Sequence, residues 1–158
     1  MTVVDLGAAP GGWCQVVKPL LGKSGRVIAL DILEMEPLHG VVFSQGDFTE
    51  DEPLQELEAE LQGEKVDLVL SDMAPNMSGM AAIDQARAMY LAELALEFVR
   101  THLKPGGDYV VKLFQGTDFD GYVRLVRSMF EKVQVRKPKA SRPRSREVYL
   151  LARGHQVE

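Results

Sequence analysis

The chain opens Met1-Thr-Val-Val-Asp-Leu-Gly-Ala-Ala-Pro-Gly-Gly-Trp13. The β-branched run Thr2–Leu6 predicts a strand that ends around Asp5, and Gly7 breaks it. After Gly11 and Gly12 the chain restarts as a helix, with Trp13, Val16, Val17, Leu20 and Leu21 at helical spacing and Gly22 at its end. A strand, a glycine-rich turn and a helix N-terminus form the unit with which α/β folds hold a nucleotide-like cofactor.

Outward from that unit, apolar runs and amphipathic segments alternate. Strands are expected at Arg26–Ile32, Val41–Gln45, Lys65–Ser71, Tyr109–Phe114, Lys132–Arg136 and Glu147–Leu151. Pro53 opens a helix with Leu54, Leu57 and Leu61 on one face. A longer helix carries Ala88, Leu91, Leu94, Ala95 and Phe98 in phase, and Lys104-Pro105-Gly106-Gly107 stops it. A third turns Phe119, Tyr122, Val123, Val126 and Phe130 inward. The alternation predicts a Rossmann-like α/β domain: a mostly parallel, seven-stranded sheet with helices on both faces. The link between the last two strands is too short for a crossover helix, so that pair is expected to be antiparallel.

At 158 residues the chain has the length of one domain with a real core. No apolar run approaches a membrane span, and Cys14 is the sole cysteine, which excludes an intrachain disulfide and fits a reducing cytoplasm. In the first helix Cys14 reads as a packed small side chain. His39, His102 and His155 are isolated, without zinc-ligand spacing, so no metal is expected. The net charge of −5 hides an asymmetry. Residues 1–123 hold 8 Lys and Arg against 20 Asp and Glu, whereas residues 124–158 hold 10 against 3. An acidic body with one basic end fits either a polyanion bound at that end or a solvated loop. Ser141 and Ser145 lie among its arginines and suit phosphate contact or a turn equally.

In a parallel sheet, ligands bind outside the carboxyl ends of the strands. There this sequence places Gly7, Ala8, Pro10, Gly11 and Gly12 after the first strand, Asp31 ending the second, Asp47 after the third and Asp72 ending the fourth. Lys112 lies near the end of the fifth, and Glu147, opening an antiparallel seventh, falls on the same edge. The turn matches neither Gly-x-Gly-x-x-Gly nor Gly-Lys-Ser/Thr, and acids repel a polyphosphate. An acidic rim suits a cation or a ribose diol. S-adenosylmethionine offers both, with Asp31 on the ribose and Asp47 near the adenine; NAD, which also pairs an acid with its ribose, is the alternative. Lys112, inside the apolar run Tyr-Val-Val-Lys-Leu-Phe, either reaches water or serves a site. Asp72 on the next strand and Glu147 from the other side favour a site. The loop with Met73, Met77 and Met80 reads as mobile, a potential lid.

Four stretches together, Asp5–Trp13, Ser71–Gly79, Val110–Gly116 and Ser145–Tyr149, resemble the FtsJ/RrmJ family of heat-shock RNA ribose 2′-O-methyltransferases. The resemblance runs from residue 1 to about residue 153. It implies an S-adenosylmethionine-dependent methyltransferase fold, with Gly11, Trp13, Asp31, Asp47 and Asp72 holding the cofactor. It also implies a Lys-Asp-Lys-Glu tetrad whose last three members match Asp72, Lys112 and Glu147. Bacterial members methylate a uridine ribose of large-subunit (23S) ribosomal RNA, in the loop that receives aminoacyl-tRNA. The expected partner is therefore ribosomal RNA or the large subunit, bound by a monomer. Arg136, Lys137, Lys139, Arg142, Arg144, Arg146 and Tyr149 are the candidate RNA contacts. Lys112 would act as general base or as a fixed cation orienting the hydroxyl. The family's first tetrad lysine and its RNA-engaging N-terminal segment lie upstream of the first strand. Residues 1–158 are thus expected to be one catalytic domain without that segment. A catalytically incomplete cofactor- and RNA-binding core stays open as an alternative, and a nicotinamide-dependent oxidoreductase as a second.

Overall fold

The computed structural model describes residues 1–7, 25–34, 36–73, 78–137 and 146–156. The expected first helix with Cys14, together with Ala8, Pro10, Gly11, Gly12, Trp13, Met77, Lys139, Ser141, Arg142, Arg144 and Ser145, lies outside the described residues.

Seven strands form one sheet in the order β3-β2-β1-β4-β5-β7-β6. They are β1 (Thr2–Leu6), β2 (Arg26–Asp31), β3 (Val41–Gln45), β4 (Val66–Ser71), β5 (Leu103–Phe114), β6 (Phe130–Arg136) and β7 (Glu147–His155). The first five run parallel to one another. β7 inserts antiparallel between β5 and β6, as the short final link requires. The described helices are α1 (Asp51–Leu61), α2 (Ala81–His102) and α3 (Phe119–Met129).

Strand alternation splits the core in two. Val4, Leu6, Ile28, Leu30, Val69, Val111, Leu113, Val148 and Leu150 point to one face, where α1, α2 and α3 bury Leu57, Leu61, Met89, Leu96, Val99 and Val126 against them. Val3, Val27, Ala29 and Leu70 form a second buried cluster, with Leu68 and Val110 packed against it. Inside the larger cluster the buried Tyr109 hydroxyl lies 2.9 Å from that of Tyr122, which donates to the Ala92 carbonyl at 2.9 Å. With Tyr122 donating to Ala92, Tyr109 must donate to Tyr122, so two buried phenols are satisfied in series.

Three local expectations change. The buried stripe of α2 is Gln85, Met89, Ala92, Ala95, Leu96, Phe98 and Val99. Ala88, Leu91 and Leu94 are only half-buried at its flank. The helix is wrapped on so much of its circumference that its apolar residues alone did not fix the central row. Second, Lys104–Gly107 does not separate helix from strand. β5 starts at Leu103, opposite Val66, and resumes at Asp108, opposite Leu68. The extra residues bulge out of the ladder, with Gly106 at φ +81°. Third, β6 starts at Phe130 and β7 runs on to His155, because Phe130 pairs with His155 and both are buried.

Candidate active site

The strand order reverses direction between β1 and β4, which creates the crevice where a doubly wound sheet holds its ligand. Three backbone bonds continue the ladder past the strand ends and fix this edge: Gly7 N–H to the Leu30 carbonyl (2.8 Å), Asp72 N–H to the Leu6 carbonyl (2.9 Å) and Gly46 N–H to the Asp31 carbonyl (2.8 Å). Gly7 has φ +76°, and a Cβ there would lie 2.8 Å from the carbonyl carbon and oxygen of Asp72. Only glycine lets the turn after β1 pass the end of β4 so closely.

The acids expected at this edge are all on it. Asp31 ends β2 and accepts from the Leu33 N–H at 3.0 Å. Asp47 follows β3 and accepts from the Thr49 N–H (2.9 Å) and hydroxyl (2.7 Å). Both are Asx turns, in which the side chain grips the backbone two residues on. Asp72 is held differently. Its Oδ1 lies 2.7 Å from Lys112 Nζ on β5, and the Tyr149 hydroxyl of β7 approaches Oδ2 at 3.5 Å, the outer limit of a hydrogen bond.

Sheet register explains that cluster. Lys112 lies directly opposite Tyr149, and Phe114 opposite Glu147, so all four occupy one face of the β5–β7 pair, the face turned away from α2 and α3. The Phe114 ring flanks Lys112, its centroid 5.7 Å from Nζ. The Lys112 side chain is 14% exposed and that of Asp72 25%, so the pair is shielded yet open to a ligand. Burial, reinforced by the charges of Asp72 and Glu147, pushes the Tyr149 phenol up to about 12. Tyr149 therefore stays a protonated donor at neutral pH. Arg136 lies opposite Tyr149 on β6, extending the row to Lys112–Tyr149–Arg136 across three strands. Arg136, Lys137 and Arg146 are exposed, and Lys137 Nζ donates to the Glu147 carbonyl at 3.2 Å.

Three further residues belong to this region. Asp5 is fully buried inside β1, between Ala29 and Leu70 on the face that leads to Asp31 and Asp72. Its signal in the sequence is a carboxylate inside an apolar strand, the same signal that singled out Lys112. Asp84 of α2 accepts from the N–H (2.7 Å) and hydroxyl (2.9 Å) of Ser78, fixing Ser78 at the start of the helix. The Ser78 N–H holds the Asp84 carboxyl below the usual carboxylate range. Gln85 is the third: its buried amide reaches the end of β5. No local signal marks it, because the buried row of α2 is not fixed by the apolar spacing alone.

Comparison with known proteins adds to this geometry. Residues 1–155 match the FtsJ-like methyltransferase family. The chain belongs to that family. It is 65% identical over 149 residues to a ribosomal RNA large subunit methyltransferase E from Azoarcus sp., covering 94% of this chain and 73% of that protein. It is 61% identical over 158 residues to the protein of the same name from Xanthomonas campestris, covering 100% and 75%. Among solved structures, one assigned as a ribosomal RNA methyltransferase from Plasmodium falciparum superposes with a TM-score of 0.87 at 28% identity, covering 99% of this chain and 87% of that one. Human methyltransferase-like protein 13, solved with S-adenosylhomocysteine, shares the fold at a TM-score of 0.68 and 14% identity, covering 98% and 72%.

The chain is thus a methyltransferase with S-adenosylmethionine as its methyl donor, which decides against the nicotinamide alternative. The described residues fit that donor. A sulfonium and an ammonium suit a rim of carboxylates, and a ribose diol suits Asp31 at the end of β2. The close passage of Gly7 against Asp72 brings the turn after β1 to the end of β4, beside the crevice. Among the described residues no cluster of His, Cys, Asp or Glu is placed to hold a metal ion, and no helix is long and apolar enough to cross a membrane.

Proposed function

We propose that the chain transfers a methyl group from S-adenosylmethionine to the 2′-hydroxyl of a uridine ribose in large-subunit ribosomal RNA. Methylation of ribosomal RNA is supported by family membership and by the named relatives above 60% identity. For the ribose hydroxyl as acceptor, the observation that carries most weight is the Lys112–Asp72 pair beside the cofactor crevice. A base nitrogen or carbon calls for different handling, whereas an alcohol needs to be oriented and relieved of its proton.

S-adenosylmethionine supplies a methyl carbon already activated by a sulfonium. What remains for the protein is alignment and control of the hydroxyl proton. In this reading Asp31 takes the cofactor ribose and Asp47 borders the adenine. Asp72 anchors Lys112, whose ammonium keeps further N–H donors for the acceptor oxygen. In that setting Lys112 orients the hydroxyl and offsets developing negative charge as a fixed cation, while the oxygen–methyl bond forms, the sulfur–methyl bond breaks and the hydroxyl proton leaves to solvent water. Glu147 and the Tyr149 donor complete the wall on the β7 side. The exposed Arg136, Lys137 and Arg146 continue from this wall as a basic edge suited to RNA phosphates.

The test is methyl transfer from radiolabelled S-adenosylmethionine to large ribosomal subunits from cells lacking the modification. Recovered RNA is then digested with alkali. A 2′-O-methyl group blocks attack on the neighbouring phosphate, so the label should survive in an alkali-resistant dinucleotide containing uridine. Label on a base, or none on the RNA, would overturn the reading.

A further inference from the structure

We propose that Gln85 is a positioning residue for Lys112, clamping the loose end of β5 onto α2. The role of Lys112 rests on the function proposed above; the clamp itself rests on geometry.

Among the described residues, β5 is paired on both sides only as far as Val111. On the β4 side the ladder stops at Ser71 opposite Val111, and the next N–H, that of Asp72, bonds instead to the Leu6 carbonyl of β1. Lys112, Leu113 and Phe114 continue, among the described residues, with β7 as their sole strand neighbour. A strand end paired on one side can swing, and Lys112 must meet Asp72 at 2.7 Å. Gln85 supplies the second hold. Its amide nitrogen donates to the Phe114 carbonyl at 2.9 Å and to the Thr117 carbonyl at 3.0 Å. Both hydrogens of the amide group are thereby spent on the one turn that leaves β5. Gly116 lies between the two acceptors, and a Cβ there would sit 3.2 Å from the Gln85 amide carbon. The turn therefore lies flat against the amide.

Gln85 is only 7% exposed and sits in the stripe shared with Met89, Ala92, Leu96 and Val99. Packing alone would favour a leucine or methionine there. A buried amide is costly unless fully bonded, and both partners that satisfy this one belong to the segment bearing Phe114. Phe114 in turn flanks Lys112 and faces Glu147. The path from Gln85 to Lys112 is thus one carbonyl, one residue's backbone and one ring.

Gln85→Met keeps the volume and removes both donors; Gln85→Leu is the second variant should the first not fold. Two readouts separate positioning from a general loss of stability. The first is methyl transfer at saturating substrates, compared with Leu61→Ala in α1 at matched distance below each variant's Tm. We expect Gln85→Met to lose about tenfold in turnover, with cofactor affinity by calorimetry within about twofold of wild type and turnover of Leu61→Ala retained. The second readout needs no activity. Acetic anhydride labelling followed by mass spectrometry compares Lys112 with the exposed Lys132. The Lys112 to Lys132 ratio should rise about threefold in Gln85→Met as Nζ escapes its ion pair. An unchanged ratio, or a turnover loss matched by Leu61→Ala, overturns the clamp. A wild-type chain without transfer activity defeats the proposed function instead, and the labelling ratio still decides the clamp.

Discussion

Asp31 and Asp47 lie on one side of the switch point and Asp72 on the other, and the three carboxylates of this single rim are held in opposite ways. Asp31 and Asp47 bond to backbone only two residues ahead. Asp72 bonds to side chains 40 and 77 positions away in the sequence, on β5 and β7. A carboxylate in its own turn is built locally and sits still whatever the rest of the sheet does. A carboxylate bridged across strands exists only once the sheet has closed. The first kind suits recognition of a cofactor, the second the assembly of a reactive pair. The comparison therefore predicts that the two sides fail separately when mutated, one in binding and the other in turnover.

The largest effect should come from Lys112→Met. Transfer should fall by about a thousandfold, within the range for loss of a group acting on the reacting proton or charge. Cofactor affinity by calorimetry should stay within about threefold, since recognition lies on the other side. Comparable loss of both would erase the division. Next, Asp31→Asn should weaken cofactor binding by roughly ten- to a hundredfold, the cost of trading charge-assisted for neutral hydrogen bonds. Turnover at saturating cofactor should largely survive, and a collapse there would again break the comparison.

The same contrast explains what could be read from the sequence. Asp31 and Asp47 were legible because a strand followed by Asp is a local pattern. Lys112 was legible because a charge interrupts an apolar strand. Their convergence needed topology, and topology was partly legible too: the short link between β6 and β7 dictates an antiparallel pair, which carries Glu147 to the carboxyl end of β5. Tyr149 was expected only as an RNA contact, because nothing local shows that it falls opposite Lys112. That placement depends on β7 inserting between β5 and β6, a long-range choice. Gln85 escaped notice for another reason. The buried row of α2 is offset from the apolar residues that stand out, so the sequence alone does not place Gln85 in that row. The bulge at Lys104–Gly107 looks like a stop in the sequence because Pro and Gly mark both ends of elements and interruptions within them.

Tyr122→Phe removes the hydroxyl that accepts from Tyr109 and donates to the Ala92 carbonyl. Leaving those buried partners unmet should cost about 1–3 kcal/mol in chemical denaturation. Turnover should be unchanged at temperatures where the variant is folded, because these phenols lie on the sheet face opposite Lys112. A drop in turnover larger than the loss of folded protein would show that the α2–α3 face and the rim are coupled.

The smallest effect is the most specific to the cross-strand side. Tyr149→Phe deletes one long hydrogen bond to Asp72 and should reduce turnover only about two- to fivefold at neutral pH. Its signature is alkaline. The folded-state phenol is raised above the ordinary value of 10.0 to about 12, by burial first and then by the charges of Asp72 and Glu147. An unfolded chain gives up this proton near pH 10, the folded one near 12, so the stability Tyr149 contributes is complete below pH 10 and is lost as pH rises from there through 12. Tyr109 and Tyr122 are raised as well, by burial foremost, and they contribute loss of the same sign. Denaturation midpoints between about pH 8.5 and 11.5 should therefore fall more gently in Tyr149→Phe than in wild type, without becoming flat. Asp72→Asn should soften the same slope by removing the negative charge beside the phenol, whereas Asp31→Asn should leave it alone. Equal slopes in all four proteins would mean that Asp72 and Tyr149 do not sense one another, and the cross-strand side of the rim would reduce to the Lys112 pair.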